Sequence, residues 1–192
     1  MSSVWFSSDT HFLHHFLAVI REIKDDDEHS ELIIENWNKL VKPDDQAWIL
    51  GDVSLKKPAE YAHLFRRLNG KKHIIWGNHD YGSGMHRDSY KFYQDYLDMG
   101  VLSMHDFARR KIDGQNVLLS HYPYSGDHTE GERFTQYRLA DEGLPLLHGH
   151  VHSKDQVTRS FKGTLQIHVG LDAWDMKPVS MNQVIQILKE QA

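Results

Sequence analysis

The chain contains no cysteine, which excludes a disulfide framework, a thiolate metal site and a cysteine nucleophile. Its longest uninterrupted apolar run is the five residues Phe16 to Ile20, far below the roughly 20 that a membrane-spanning helix needs. Basic charge is not in excess, since 22 Lys and Arg stand against 27 Asp and Glu for a formal net charge of −5. That balance argues against a standing affinity for duplex nucleic acid or an anionic membrane. The opening Met1-Ser2-Ser3-Val4-Trp5 has neither the basic segment nor the apolar stretch of a secretory leader, which points to the cytoplasm. No internal repeat, low-complexity tract or Pro/Gly-rich linker interrupts the 192 residues, so one domain spanning 1–192 is expected. Hydrophobic residues at 40% and aromatics at 11% suffice for an ordered core. Histidine is the type in surplus, with 15 copies. Imidazole in a thiol-free chain points to metal or proton chemistry wherever the rings converge.

Several short apolar runs end abruptly in polar, chemically capable residues. Val4-Trp5-Phe6 leads to Asp9 and His11, Ala47 to Leu50 leads to Asp52, and His73 to Trp76 leads to Asn78-His79-Asp80. Val117 to Leu119 leads to His121, and Leu144 to Leu147 leads to His150 and His152. Such runs, bounded by Gly and polar residues, read as buried strands. Helical spacing lies between the early ones. Asp27 or Ser30 can cap a helix carrying Leu32, Ile33, Trp37 and Leu40, and Pro58 suits the first turn of a helix reaching Leu68. The preceding charge run, Lys24 to Glu28, reads as a solvated turn. Ser180 with Gln183 resembles a capping box opening a last helix. Asp113-Gly114 and Lys162-Gly163 each sit between strand-like runs as hairpin turns. Strands alternating with helices, followed by hairpins, predict an α/β chain with one mixed sheet.

In open α/β sheets functional groups gather beyond the carboxyl ends of strands. Here five strand ends deliver carboxylates, imidazoles and a carboxamide. Burying such groups together is costly unless cations compensate their charge and lone pairs. Gly51 and Gly77 precede Asp52 and Asn78 and let the backbone approach the site. Gly149-His150-Val151-His152 places two imidazoles at i and i+2, on one side of an extended segment.

The ordered set Asp9-Thr10-His11, Gly51-Asp52, Gly77-Asn78-His79-Asp80, His121 and Gly149-His150-Val151-His152 resembles the calcineurin-like metallophosphoesterase superfamily. The match runs from residue 9 to 152 and suits a compact member without a large capping domain. Trp37-Asn38, Lys42-Pro43-Asp44-Asp45, Ser120-His121-Tyr122-Pro123 and Gly170-Leu171-Asp172 also look like a small bacterial and phage branch. The resemblance implies a four-layer α/β/β/α sandwich of two mixed sheets with two divalent ions at the sheet edge. It implies Asp9, His11 and His152 on one ion, Asn78, His121 and His150 on the other, and Asp52 bridging. His79 would steady the transition state and protonate the leaving oxygen. Asp80 would orient its imidazole or cap the following loop. Two ions roughly 3.5–4 Å apart can hold phosphate oxygens and a bridging hydroxide for in-line attack. Thiol-free N/O donors suit Mn²⁺ first, with Fe, Zn²⁺, Ni²⁺ or Mg²⁺ as alternatives, and disfavour Ca²⁺.

The stretch Tyr122 to Gly143 has little periodicity, and loops of about twenty residues in a compact domain are usually functional or disordered. It supplies Tyr124, Arg133 and Arg138 as candidate substrate-binding residues, joined by His14 near the first ion. Either arginine can hold a phosphate oxygen or form a surface salt bridge. His148 and His168 read as packing residues, and Asp172 can reach the site from a final strand. The expected activity is hydrolysis of a small, nucleotide-like phosphomono- or phosphodiester. A catalytically silent scaffold of the same fold and a DNA-repair-type nuclease are the alternatives. The filled ligand set speaks against the first. The negative charge and the absence of an added domain speak against the second.

Overall fold

A computed structural model describes residues 2–191. The apolar runs form strands as the sequence predicts: β1 (Val4–Ser7), β2 (Gln46–Ile49) and β3 (Lys71–Ile75). Between and before them lie helices α1 (His15–Ile20), α2 (Asp26–Leu40) and α3 (Pro58–Phe65), and α4 (Tyr93–Asp98) leads to β4 (Val101–His105). The remainder holds β5 (Phe107–Ile112), β6 (Gln115–Ser120), β7 (Leu146–His148), β8 (Val157–Arg159), β9 (Leu165–His168), β10 (Val179–Ser180) and α5 (Met181–Glu190).

The strands make two five-stranded mixed sheets, ordered β10-β1-β2-β3-β4 and β5-β6-β7-β9-β8. The single mixed sheet read from local pattern is thereby corrected, and the two-sheet sandwich implied by the family resemblance is present. In the first sheet β1 to β4 are parallel and β10 runs antiparallel to β1. In the second, antiparallel hairpins flank a parallel β6-β7-β9 centre. One apolar cluster (Ile33, Trp37, Phe65 and Ile74 among it) lies between the first sheet and α2–α4. A second joins Phe6, Leu50 and Ile75 to Leu119, Leu147 and Ile167 across the two sheets, with α5 packed in through Val184 and Leu188.

Helix α2 begins earlier than expected. Asp25 is its N-cap, accepting from Glu28 N at 2.8 Å. Asp26, Asp27 and Glu28 therefore occupy the first turn, where the exposed amides of the helix favour negative charge. The charge run is thus part of the helix and not a turn before it. The buried face is His29, Ser30, Ile33, Ile34 and Trp37, and Leu40 lies outside it. Helix α3 has Pro58 in its first turn and ends at Phe65, three residues short of the expected Leu68. Asp113 (φ +47°) and Gly114 (φ +83°) both take the left-handed backbone of a tight hairpin turn.

Candidate metal centre

Five strand ends meet at one rim of the sandwich. Asp9 and His11 follow β1, Asp52 follows β2, Asn78 follows β3, His121 follows β6, and His150 and His152 follow β7. The chains stay paired after the strands stop: Asp9 N donates to Gly51 O at 3.0 Å, His11 N to Asp52 O at 3.1 Å, and Gly149 N to His121 O at 2.9 Å. The two sheets are joined here by His150 N, which donates to Asp9 Oδ2 at 3.0 Å. Close approach depends on glycine. A Cβ at Gly77 would collide with Asp52 Oδ1, and one at Gly149 would lie 2.6 Å from Asp9 Oδ2.

Five of these positions take left-handed backbone despite carrying side chains: Asp9 (+57°), His11 (+45°), Asp52 (+53°), His150 (+73°) and His152 (+49°). Such residues cluster where surrounding structure over-determines them, each at a strain on the order of 1–3 kcal/mol. The extended Gly-His-Val-His segment expected from sequence is corrected accordingly. Val151 N donates to Gly149 O at 2.9 Å, so His150 is the centre of a three-residue turn.

The side chains converge. Asp9, His11 and His152 offer donor atoms within 4.8 Å of one another, as do Asp9, Asp52 and His121. His121 Nε2 lies 3.4 Å from Asp52 Oδ2 and 3.3 Å from Asn78 Oδ1. Its Nδ1 lies 2.7 Å from Leu50 O, so that nitrogen carries the proton and donates it. Among the described residues, both ring nitrogens of buried His11 lack a hydrogen-bond partner. An unpartnered polar side chain among carboxylates at the end of a strand fits a cation, and the donor set of oxygen and imidazole nitrogen fits a divalent metal.

Charge is unevenly held at the rim. Burial drives His11 well below its ordinary value in spite of Asp52, and drives His150 down to about 4. Burial would also lower His121, but the Asp52 carboxylate outweighs it and raises His121 to about 9. Asp52 itself is held far below the usual carboxylate range, with His121 overcoming its burial. Asp80 is pushed up to about 7 by burial and the nearby Asp52 charge.

The other predicted residues fall into two groups. His14, His79 and Arg133 line a cavity of ≈ 230 Å³ together with the donors His11, Asp52, Asn78, His150 and His152 and with Phe16, Leu17 and Ile20 of α1. The His79 side chain is 43% exposed, with Nε2 3.9 Å from Asp52 Oδ2. Asp80, Tyr124 and Arg138 lie elsewhere. The Asp80 carboxylate accepts from the backbone N–H groups of Asp52 (2.9 Å), Val53 (3.0 Å) and Gly77 (2.8 Å). It fastens the β2 and β3 loops together, and among the described residues no hydrogen bond joins it to the His79 ring. Tyr124 Oη donates to Leu144 O at 2.9 Å, and Arg138 is enclosed against Glu132, Asp127 and Arg133 O. Both brace the 122–143 loop through these bonds, and neither lines the cavity.

Sequence reasoning missed Arg21, whose guanidinium binds Asp172 and donates to Asp9 O at 2.9 Å. No local pattern marks it. His148 and His168 stack on the outer face of the second sheet, 5.4 Å between ring centroids, as packing residues.

No family model matches the chain. It is 42% identical to the Gene 66 protein of Mycobacterium phage D29, over 99% of this chain and 98% of that protein. It is 38% identical to the Gene 66 protein of Mycobacterium phage L5, over 98% of this chain and 95% of that protein. Among solved structures, a protein of unknown function from Aquifex aeolicus is 25% identical and covers 97% of this chain and all of its own, at a TM-score of 0.71. The chain belongs to the family of the mycobacteriophage gene 66 proteins.

Proposed function

We propose that the chain is a metal-dependent phosphoester hydrolase acting on a small phosphomono- or phosphodiester, nucleotide-like substrates foremost. The observation that carries this is the convergence of carboxylates, imidazoles and a carboxamide from five strand ends, several of them at strained backbone angles. Asp9, His11 and His152 would hold one divalent ion and Asn78, His121 and His150 a second, with Asp52 shared between them. Ions bound there, Mn²⁺ foremost, supply positive charge to phosphate oxygens and a nucleophile at neutral pH.

The chain's own groups do the rest. His79, half in solvent at the cavity wall, can carry a proton on Nε2 to the leaving oxygen as the ester bond breaks. Arg133 and His14, both lining the cavity, bind and orient the phosphate. Phe16, Leu17 and Ile20 give the cavity an apolar lining. Asp80 holds Asp52 at its post through the backbone.

The test is hydrolysis of aryl phosphate mono- and diesters by the Mn²⁺-loaded protein. Asp52→Asn and His121→Ala should bring turnover to background while circular dichroism shows the fold retained. His79→Ala should lower kcat by roughly 10²–10⁴-fold, the range a lost general acid gives. Failure to turn over any ester with Mn²⁺, Fe²⁺, Zn²⁺, Ni²⁺ or Mg²⁺ would overturn the reading. A panel of nucleotides, cyclic nucleotides and phosphosugars then ranks substrates.

A further inference from the structure

Two carboxylates outside the donor set reach the rim from opposite directions. Asp127, on the 122–143 loop, has its side chain fully enclosed and places Oδ2 3.3 Å from His150 Nε2. Arg133 Nη2 donates to Asp127 Oδ1 at 2.8 Å, Arg138 Nη2 to Oδ2 at 3.3 Å, and the amides of His128 and Arg133 at 2.8 and 3.1 Å. Asp172, just after β9, places Oδ2 3.0 Å from His152 Nδ1. Arg21 grips both of its oxygens, Nε and Nη2 each donating at 2.8 Å. Each imidazole of the Gly-His-Val-His turn therefore faces a carboxylate that a guanidinium has already fixed in place.

An ionised carboxylate only accepts, so the ring nitrogen facing it carries the hydrogen and the other nitrogen of a neutral ring is bare. The two carboxylates meet different nitrogens. We propose that Asp127 and Asp172 are positioning residues that set the two imidazoles in opposite tautomers: His150 as Nε2–H with Nδ1 bare, and His152 as Nδ1–H with Nε2 bare. The bare nitrogens are the ones left for the ions, and in His152 that atom, Nε2, is the one on the Asp9 side, 3.9 Å from Oδ1. The two rings leave one tight turn, and Nδ1 lies close to its own backbone while Nε2 lies at the far end of the ring. Opposite tautomers thus let neighbouring histidines present lone pairs at different depths, as two separate ions require. Asp127, His128 and His150 also stand at metal-ligand spacing. Arg133 Nη2, however, lies 2.8 Å from His128 Nε2 as well as from Asp127 Oδ1, so a guanidinium fills that centre.

The purpose assigned to the tautomers rests on the two-ion reading above, but the tautomers themselves are measured without metal. Long-range ¹H–¹⁵N correlation spectra of the metal-free, ¹⁵N-labelled full chain, at a pH where both rings are neutral, should show His150 and His152 in opposite forms. In Asp127→Asn the carboxamide can donate to Nε2, so His150 should switch to Nδ1–H while His152 is unchanged. Calorimetric titration with Mn²⁺ should then find one of the two sites weakened by roughly 10–100-fold. Asp172→Asn should switch His152 alone and weaken the other site. The same tautomer on both rings of the unaltered protein would overturn the proposal, and that spectrum decides even where a variant fails to fold. Unchanged Mn²⁺ affinity in both variants would overturn it as well. Opposite tautomers and two bound Mn²⁺ in a protein that hydrolyses no ester would sink the proposed function and leave this inference standing.

Discussion

Asp45 accepts three hydrogen bonds, from Ser3 N at 2.7 Å, Trp5 Nε1 at 3.1 Å and Lys42 N at 3.0 Å. It ties the first strand to the chain entering the second. Burial would raise its pKa, but the donors from Lys42, Ser3 and Trp5 outweigh that and hold it below the ordinary value. A carboxylate depressed in the folded state stabilises above its unfolded pKa, and the contribution disappears as pH falls through the folded one. Asp45→Asn should therefore lower stability at neutral pH by about 1–3 kcal/mol. The gap to the unaltered protein should close below about pH 4, as followed by urea unfolding across pH. Gly149→Ala makes a different prediction, since the added methyl collides with the buried Ser8 hydroxyl and presses on Asp9 Oδ2: the rim must shift, and divalent-ion binding and turnover should fall together, read by Mn²⁺ titration and ester hydrolysis. Single positions differ in how far they could be read from sequence. The donors stand directly after apolar runs, so residue type and place announce them. The Arg21–Asp172 pair spans 151 positions with no periodic cue at either end, and Asp80 reads as a neighbour of His79 when its carboxylate is turned to the backbone of another loop.

Helix α2 shows what local chemistry does and does not reveal. Its apolar spacing marks a helix, but three acidic residues before the first apolar position resemble a loop until the helix dipole is considered. Asp25→Ala should cost about 1 kcal/mol through the lost cap, seen as a lower urea midpoint with an unchanged slope. The hairpin turn at Asp113-Gly114 was fully legible because two consecutive left-handed residues admit few sequences. Strand β4 was not, since Val101–His105 pairs with β3 at the edge of the first sheet and lacks a clean alternation of buried and exposed positions. Strand β10, two residues long, carries no pattern at all.

The division into two sheets is invisible to any local reading, because each hairpin and each β-α unit looks the same whether it joins one sheet or another. It matters for the site. Asp9, Asp52 and Asn78 come from the first sheet, whereas His121, His150 and His152 come from the second. Ions held by both sets would bind only the closed sandwich. At a hundredfold excess over Kd each such ion adds about 2.7 kcal/mol, so Mn²⁺ should raise the melting temperature by several degrees and chelation should reverse it. The same divided origin makes occupancy a hasp on one side of the protein only. With Mn²⁺ added, amide hydrogens around Ser8, Gly51 and Gly149 should exchange with deuterium more slowly. Those beside Asp113 and Gly114, at the opposite hem of the sandwich, should keep their metal-free rates, and the molecule would be latched at its mouth and loose at its heel.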